Sequence, residues 1–268
     1  MHGAHLRPRE PGPDAGQVTD RTEQALVFGE VAEQYDRARP SYPDALLDTI
    51  VEYGGLASGD AALEIGAGTG KATRGFIARG LAVHALEPSP GMAAVLRDHG
   101  VDAEETTFEA WDPGSRVFRL VYAAQAWHWV QSGNRYAKAA SLLAPGGTLA
   151  LFWNVGREWD GSLGVDNDAV YDEIAPNLTG GVHWNLDRHL DELEAAPAFT
   201  GVTKHVVTWE QRYSAEEWMT LLGTHSDHRI LPAEQRSRLH AAVGEVIERH
   251  GGFVDMTYDT QLYLATRV

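Results

Sequence analysis

The 268 residues include no cysteine. That absence excludes disulfide frameworks, thiolate zinc sites and cysteine nucleophiles together, and it agrees with a reducing compartment, so the cytoplasm is the expected location. Long apolar runs are missing too. No stretch approaches the roughly 20 apolar residues of a membrane-spanning helix, and Met1 to Gln17 carry Pro8, Pro11, Pro13 and charges where a signal peptide needs an apolar core. Positive charge is scarce, with 22 Lys and Arg against 38 Asp and Glu and a formal net charge of −16. A field of that sign repels polyphosphates and anionic bilayers, so neither nucleic acid nor membrane is the expected partner. A small-molecule substrate is, handled by a monomer or homodimer.

What is present is an ordinary globular balance, 43% hydrophobic and 22% charged, enough for one principal domain with decorations. Residues 1–22 read as a flexible tail. Ala25, Leu26, Phe28, Val31 and Ala32 recur at helical spacing, predicting a short amphipathic helix from Gln24 to Tyr35. Tyr35 to Pro43 follows as a loop whose two prolines forbid helix at the residues before them, after which Ser41 is positioned to cap a helix ending at Gly54-Gly55. From Asp60 the chain alternates. Strands are expected at Ala61 to Ile65, Ala82 to Leu86, Phe118 to Ala124 and Thr148 to Trp153, with helices at Lys71 to Arg79, Pro90 to His99 and Tyr136 to Leu143 and a turn at Pro145-Gly146-Gly147. This rhythm breaks over residues 155–197, polar and aromatic in places (Trp159, Tyr171, Trp184), which suggests a lid or insertion. It resumes with a strand at Phe199 to Thr208, a helix begun by Ser214 with Glu217 at capping-box spacing, a helix from Pro232 to His250 and a strand at Tyr258 to Thr266. The prediction is an α/β fold: a doubly wound, Rossmann-like, mostly parallel sheet of about seven strands with helices on both faces plus a helical lid. Residues 23–154 form its ligand-binding core with an N-terminal cap, and 198–268 complete the same sheet and supply substrate-side helices.

The strongest chemical signal is Ala62-Leu63-Glu64-Ile65-Gly66-Ala67-Gly68-Thr69-Gly70, a strand running into a glycine turn that opens a helix. In a dinucleotide fold the third glycine would fall at position 71 to complete GxGxxG, yet that residue is Lys71, and Glu64 at the mouth would repel a pyrophosphate. A cationic ligand suits Glu64 better. Glu87 follows the second strand about 20 residues beyond the turn, where a carboxylate can accept two ribose hydroxyls. An adenosine with a cationic tail satisfies both acids.

With LEIGAGTG at 63–70, EPSPGM at 87–92, AAQAWHWV at 123–130, LLAPGGTLAL at 142–151 and YDRARPSYP at 35–43, the sequence resembles the class I S-adenosylmethionine-dependent methyltransferases from Phe28 to Arg267. It is most similar to the type 11 branch that includes trans-aconitate methyltransferase-like and ubiquinone-pathway-like enzymes. The resemblance implies S-adenosyl-L-methionine as cofactor and S-adenosyl-L-homocysteine as product. It places Glu64, Gly66, Ala67 and Gly68 at the methionine and ribose end, Glu87 and Pro88 at the ribose, Met92 near the adenine and Thr107, Phe108 and Glu109 along the adenine edge. Ala124 and Gln125 fall beside the methionine, and Tyr35, Arg39 and Tyr42 fall in a loop that folds over the cofactor. Arg119 departs from the family, which usually carries aspartate there.

Methyl transfer is an in-line displacement in which positioning supplies much of the rate and a base is optional. His128, after the fourth strand, is the candidate base, with a packed wall histidine as the alternative; Trp127 and Trp129 read as packing. In Thr224-His225-Ser226-Asp227-His228, His225 is a candidate substrate contact. Two histidines three apart without a third ligand make a weak metal site, so no metal is expected and a solvated surface is the simpler account. The acidic stretch Asp187 to Glu194 reads as a solvated face. The expected activity is methyl transfer to a small molecule, at oxygen, nitrogen, carbon or carboxylate; the alternative is a non-catalytic regulatory or scaffold protein that keeps the nucleotide site.

Overall fold

The computed structural model describes residues 32–131, 133–178 and 186–268. Short apolar runs form β1 (Ala61–Ile65), β2 (Ala82–Leu86), β3 (Ala103–Glu104) and β4 (Phe118–Ala124), and longer strands follow as β5 (Leu143–Gly156), β6 (Phe199–Ser214) and β7 (Phe253–Arg267). They make one sheet in the order β3-β2-β1-β4-β5-β7-β6. Neighbours from β3 to β5 are parallel, whereas β7 is antiparallel to both β5 and β6. The doubly wound, mostly parallel sheet of seven strands is therefore as expected.

The helices are α1 (Ala32–Ala38), α2 (Asp44–Gly54), α3 (Lys71–Ala78), α4 (Pro90–Asp98), α5 (Arg135–Leu142), α6 (Gly161–Ile174), α7 (Asp187–Glu194), α8 (Ala215–Leu222), α9 (Ser226–Arg229) and α10 (Ala233–Arg249). Side-chain alternation along the strands sorts them into layers. Leu120 and Tyr122 of β4 pack with Leu46, Ile50 and Phe76 of α2 and α3, while Val121 and Ala123 pack with Ala139 and Leu142 of α5 and Leu193 of α7. A third cluster joins Tyr171 of α6, Trp218 and Leu221 of α8 and Leu239 and Val243 of α10 to Met256 and Tyr258. Since Tyr258 pairs with Gly156, the last residue of β5, this helical layer stands at the sheet end where β5 finishes. Among the described residues no helix is long and apolar enough to cross a membrane.

Several boundaries differ from those the sequence suggests. Tyr35 to Ala38 belong to α1, and only 39–43 is irregular. The expected tail, the part of the expected helix that precedes Ala32, and Trp184 lie outside the described residues. Ser41 is not the cap of α2: Pro43 holds that position with φ −58 and no capping side chain, and the Ser41 carbonyl instead accepts from Asn154 Nδ2. Pro145-Gly146-Gly147 is not a free turn. It lies inside β5, where pairing steps from Phe118 opposite Leu143 to Leu120 opposite Thr148, a bulge that accommodates φ 73 at Gly146. β6 and β7 run on past the expected ends as a ribbon reaching Ser214 opposite Phe253.

The two described helices of segment 155–197, expected as a lid or insertion, pack in different places. The first, α6, joins the helical layer at the sheet end, and the second, α7, packs on the sheet face beside α5. The acidic stretch at α7 is more than a solvated face, because His189 and Leu193 are buried, Glu192 pairs with Arg135 and Asp187 with Lys204. Arg119 has a local explanation: its Nη2 donates to the Gly54 carbonyl at 3.1 Å, satisfying an acceptor at the carboxyl end of α2.

Candidate active site

A cavity of about 880 Å³ opens at the carboxyl ends of β1, β2, β4 and β5, the place where an open α/β sheet holds its ligands. Two glycines shape its floor. Gly66 has φ 70, and a Cβ there would come within 2.6 Å of the Ala126 Cβ; its N–H and that of Ala67 donate to the Leu86 carbonyl at 2.9 and 3.0 Å, tying the turn to β2. Gly68 has φ 59 and faces open space, so its backbone is bare to the cavity.

Both acids are buried, Glu64 at 1% exposure and Glu87 at 6%. Glu64 does not simply face the mouth. Alternation puts it on the α3 side of β1, opposite Tyr122 of β4, where its Oε2 accepts from Tyr122 Oη at 2.8 Å and from Thr73 Oγ1 while the residue still lines the cavity. Burial pushes its carboxyl up to about 7, against those two hydrogen bonds. Glu87 accepts from Gly68 N at 2.7 Å and Ser89 N at 2.8 Å, one backbone donor per oxygen, and burial raises its carboxyl to about 7 as well. Four lone-pair sites less two leave room for two more donors.

The other candidate cofactor-binding and catalytic residues, Tyr35, Arg39, Tyr42, Ala67, Pro88, Met92, Thr107, Phe108, Glu109, Ala124, Gln125, His128 and His225, line the same cavity. Arg39 crosses from the N-terminal loop to the helical layer, donating through Nε to Thr224 Oγ1 (2.9 Å) and through Nη2 to the Thr224 carbonyl (3.1 Å), with the Tyr35 ring 5.2 Å beneath it. Tyr42 meets Phe152 edge-on at 4.9 Å. On the opposite side stand Pro88, Met92 at the start of α4, Thr107, the buried Phe108, and Glu109, whose Oε1 accepts from Gln131 N at 2.6 Å. Ala124 ends β4. Gln125 follows with φ 57, the one positive value at a non-glycine among the described residues, held by Gln125 N to the Phe152 carbonyl (2.9 Å) and Nε2 to the Asn154 carbonyl (3.1 Å).

The methyltransferase domain family matches residues 62–147, the stretch that carries the glycine turn, both acids and β4. An uncharacterized methyltransferase of Mycobacterium tuberculosis is 31% identical over 239 residues, covering 86% of this chain and 89% of the relative. The chain belongs to the class I methyltransferases. An uncharacterized methyltransferase of Schizosaccharomyces pombe is 27% identical over 220 residues, covering 80% of this chain and 84% of the relative. Two solved structures share the fold: the Haemonchus contortus phosphoethanolamine N-methyltransferase 2 in complex with phosphomonomethylethanolamine and S-adenosylhomocysteine (TM-score 0.54, 15% identity, 96% of this chain and 62% of that one), and the cyclopropane synthase MmaA2 of Mycobacterium tuberculosis (TM-score 0.53, 18% identity, 94% and 100%).

In this methyltransferase the histidines occupy two different settings. His128 lies on a single 3-10 turn, Trp127–Trp129, where its Nδ1 accepts from Trp153 Nε1 at 3.2 Å and its ring lies 4.9 Å from that of Trp129. Trp127 is fully buried between Phe108 and Tyr136, as a packing residue is. His225 is half-buried, and burial together with the Arg39 charge holds its pKa well below the usual range. The 224–228 stretch is not a solvated surface: His228 is buried, Tyr171 Oη and His228 Nε2 lie 3.2 Å apart, and His228 Nδ1 and His240 Nε2 lie 3.1 Å apart. Burial lowers His228 to about 4, so this is a neutral network. Among the described residues no three histidine or carboxylate side chains converge as a metal-holding group.

Sequence reasoning missed the far wall of this cavity. Trp153 and Asn154 at the end of β5, Asn167, Asp168 and Tyr171 on α6, and Met256 and Tyr258 on β7 all line it. Only the carboxyl-end position of Asn154 was available as a signal. Asn167, Asp168 and Tyr171 arrive through the helical layer and Met256 and Tyr258 through β7, and no local pattern encodes either placement.

Proposed function

We propose that this methyltransferase binds S-adenosylmethionine between the glycine turn and Glu87 and passes its methyl group to a small-molecule acceptor held beneath α6, α8 and α9, as a member of the type 11 branch. The observation that carries the reading is the pairing of Gly68, bare to the cavity, with Glu87, which Gly68 N and Ser89 N orient and whose carboxylate keeps acceptor capacity toward the same space. These residues fit the cofactor: the volume is that of a site for a drug-sized ligand, with room for cofactor and acceptor together. When bound, S-adenosylmethionine supplies a sulfonium methyl that is already electrophilic.

The chain's own part is then binding and orientation. Glu87 takes the ribose hydroxyls. Glu64, held by Tyr122 and Thr73, contributes negative charge near the cationic sulfur end. Arg39, which lines the cavity, would hold the methionine carboxylate, and it couples the N-terminal loop to the segment before α9 through Thr224. On the acceptor side Asn167 Oδ1 is buried without a hydrogen-bond partner among the described residues, an acceptor atom for a donor on the substrate. The net charge of −16 supports a small acceptor over a nucleic acid. The test is calorimetry with S-adenosylhomocysteine and with NAD, followed by transfer of labelled methyl from S-adenosylmethionine into a small-molecule cell extract. Binding of the first ligand, no binding of the second and a labelled small product are expected. Tighter binding of NAD overturns the cofactor assignment, and label found only in macromolecules overturns the acceptor class.

A further inference from the structure

The charged side chains that line the cavity are unevenly shared between the two signs. Among the described residues seven are carboxylates and three are Lys or Arg. Each of those cations already has a place. Lys71 Nζ donates to the Asp36 carbonyl at 2.6 Å and lies 3.9 Å from the carboxylate of the same residue. Arg157 grips Asp259 through Nε and Nη2, both at 2.9 Å. Arg39 is assigned to the methionine carboxylate, so no Lys or Arg of the lining is left for the acceptor.

The wall beneath the helical layer carries the opposite sign. Glu158 between β5 and α6, Asp168 on α6 and Asp227 on α9 converge on the cavity. Asp168 has neither a cation nor a hydrogen-bond donor among the described residues. Although its side chain is largely exposed, partial burial and the charges of Glu158 and Asp172 push its carboxyl above the usual range. Next to it in the chain, Asn167 Oδ1 is likewise without a donor. Aromatic rings complete this wall: Trp159 and Trp218 lie 5.1 Å apart with their planes at 56°, and Tyr171 and Tyr258 belong to the same cluster. The faces of such rings attract a cation.

We propose that the methyl acceptor carries a positively charged nitrogen, an amine in its ammonium form, which pairs with Asp168 while the apolar body of the molecule lies against Trp159 and Trp218. The inference rests on the reading of the cavity as a methyl-transfer site and narrows its substrate. The cavity supplies the site, and its lining supplies the class. An ammonium brings N–H donors to a wall with acceptors to spare, and its charge offsets the repulsion among the three carboxylates. A polycarboxylate of the same size meets the reverse, since each of its charges would give up water to face another anion. Asp168 is thereby assigned to recognition of the acceptor and not to the transfer step.

The probe is benzylamine, an ammonium ion with an aromatic body at pH 7, titrated by calorimetry into the full chain with and without S-adenosylhomocysteine and compared with benzoate. Binding at least about tenfold tighter than that of benzoate is expected. Asp168→Asn should weaken benzylamine roughly three- to tenfold, the effect of one partly exposed charge, and Asp168→Glu should stay within about threefold of the parent. Both variants should bind S-adenosylhomocysteine as the parent does, which shows that they fold. In the labelled extract, once unreacted S-adenosylmethionine has been resolved by chromatography, the labelled small product should be retained on a sulfonate cation exchanger. No preference for benzylamine over benzoate, an affinity unchanged in Asp168→Asn, or a labelled product that passes the exchanger each overturns the proposal. Failure of the parent to bind S-adenosylhomocysteine sinks the cofactor assignment, and the titration without that ligand still decides the class of acceptor.

Discussion

Glu87→Gln is the substitution that tests the cofactor site most directly, since it preserves size while changing one atom's hydrogen-bonding sense. In the parent each carboxylate oxygen already accepts one backbone N–H, from Gly68 at 2.7 Å and from Ser89 at 2.8 Å, and the remaining lone pairs are those offered to a ribose diol. A glutamine has one acceptor oxygen. Its amide nitrogen must replace one of the two oxygens and so faces the Gly68 or the Ser89 N–H, whereby a donor is orphaned and a charge-assisted bond is lost, together about 1.5–3 kcal/mol. The dissociation constant for S-adenosylhomocysteine should therefore rise roughly 10- to 150-fold at pH 8. A pH effect accompanies it. Because burial raises the Glu87 carboxyl to about 7, the folded protein holds a proton there that the unfolded chain releases above the ordinary 4.5. Stability from this group is therefore greatest below the unfolded value and falls as pH climbs to 7, by at most about 3 kcal/mol. Ligand affinity runs the other way, rising as the carboxylate forms. Glu64, also near 7, keeps its own share of both slopes in the variant, so the slopes should shrink without vanishing. Calorimetry from pH 5.5 to 8.5, paired with urea unfolding, measures all of this. Affinity within twofold of the parent at pH 8 would refute the ribose anchor.

Other substitutions probe the loop, the turn and the strained residue. Gly66→Ala and Gly68→Ala should separate folding from binding: the first drives a methyl into Ala126 and should cost about 2–4 kcal/mol in urea unfolding, whereas the second bears only left-handed strain of about 1–2 kcal/mol and should chiefly block the ligand. The reverse ranking would show that the turn is arranged otherwise. Arg39→Ala removes both bonds to Thr224 and should weaken S-adenosylhomocysteine binding by at least about tenfold, while an unchanged constant would remove Arg39 from the site. Gln125→Gly should relieve its left-handed backbone and raise the unfolding free energy by up to about 1 kcal/mol; a loss instead would mean that its bond to the Asn154 carbonyl outweighs the strain.

Much of the fold was legible because its signals are local. A strand buried on both faces needs a short apolar run, a glycine turn needs residues tolerant of positive φ, and the interval from that turn to Glu87 is set by one helix and one strand. Ala61–Ile65, Gly66, Gly68 and Glu87 all fall where those rules place them. The tertiary structure decided what depends on partners far apart in sequence. Arg39 finds Thr224 across 185 residues, and α6 and α7, neighbours in the chain, part for the sheet end and for a sheet face because their apolar sides match different layers. His128 accepts from the indole of Trp153, 25 residues on and brought beside it by the pairing of β4 with β5. A sequence pattern records which side chains can make such bonds. Packing, by burying one lone pair against one N–H, selects the bond that is made.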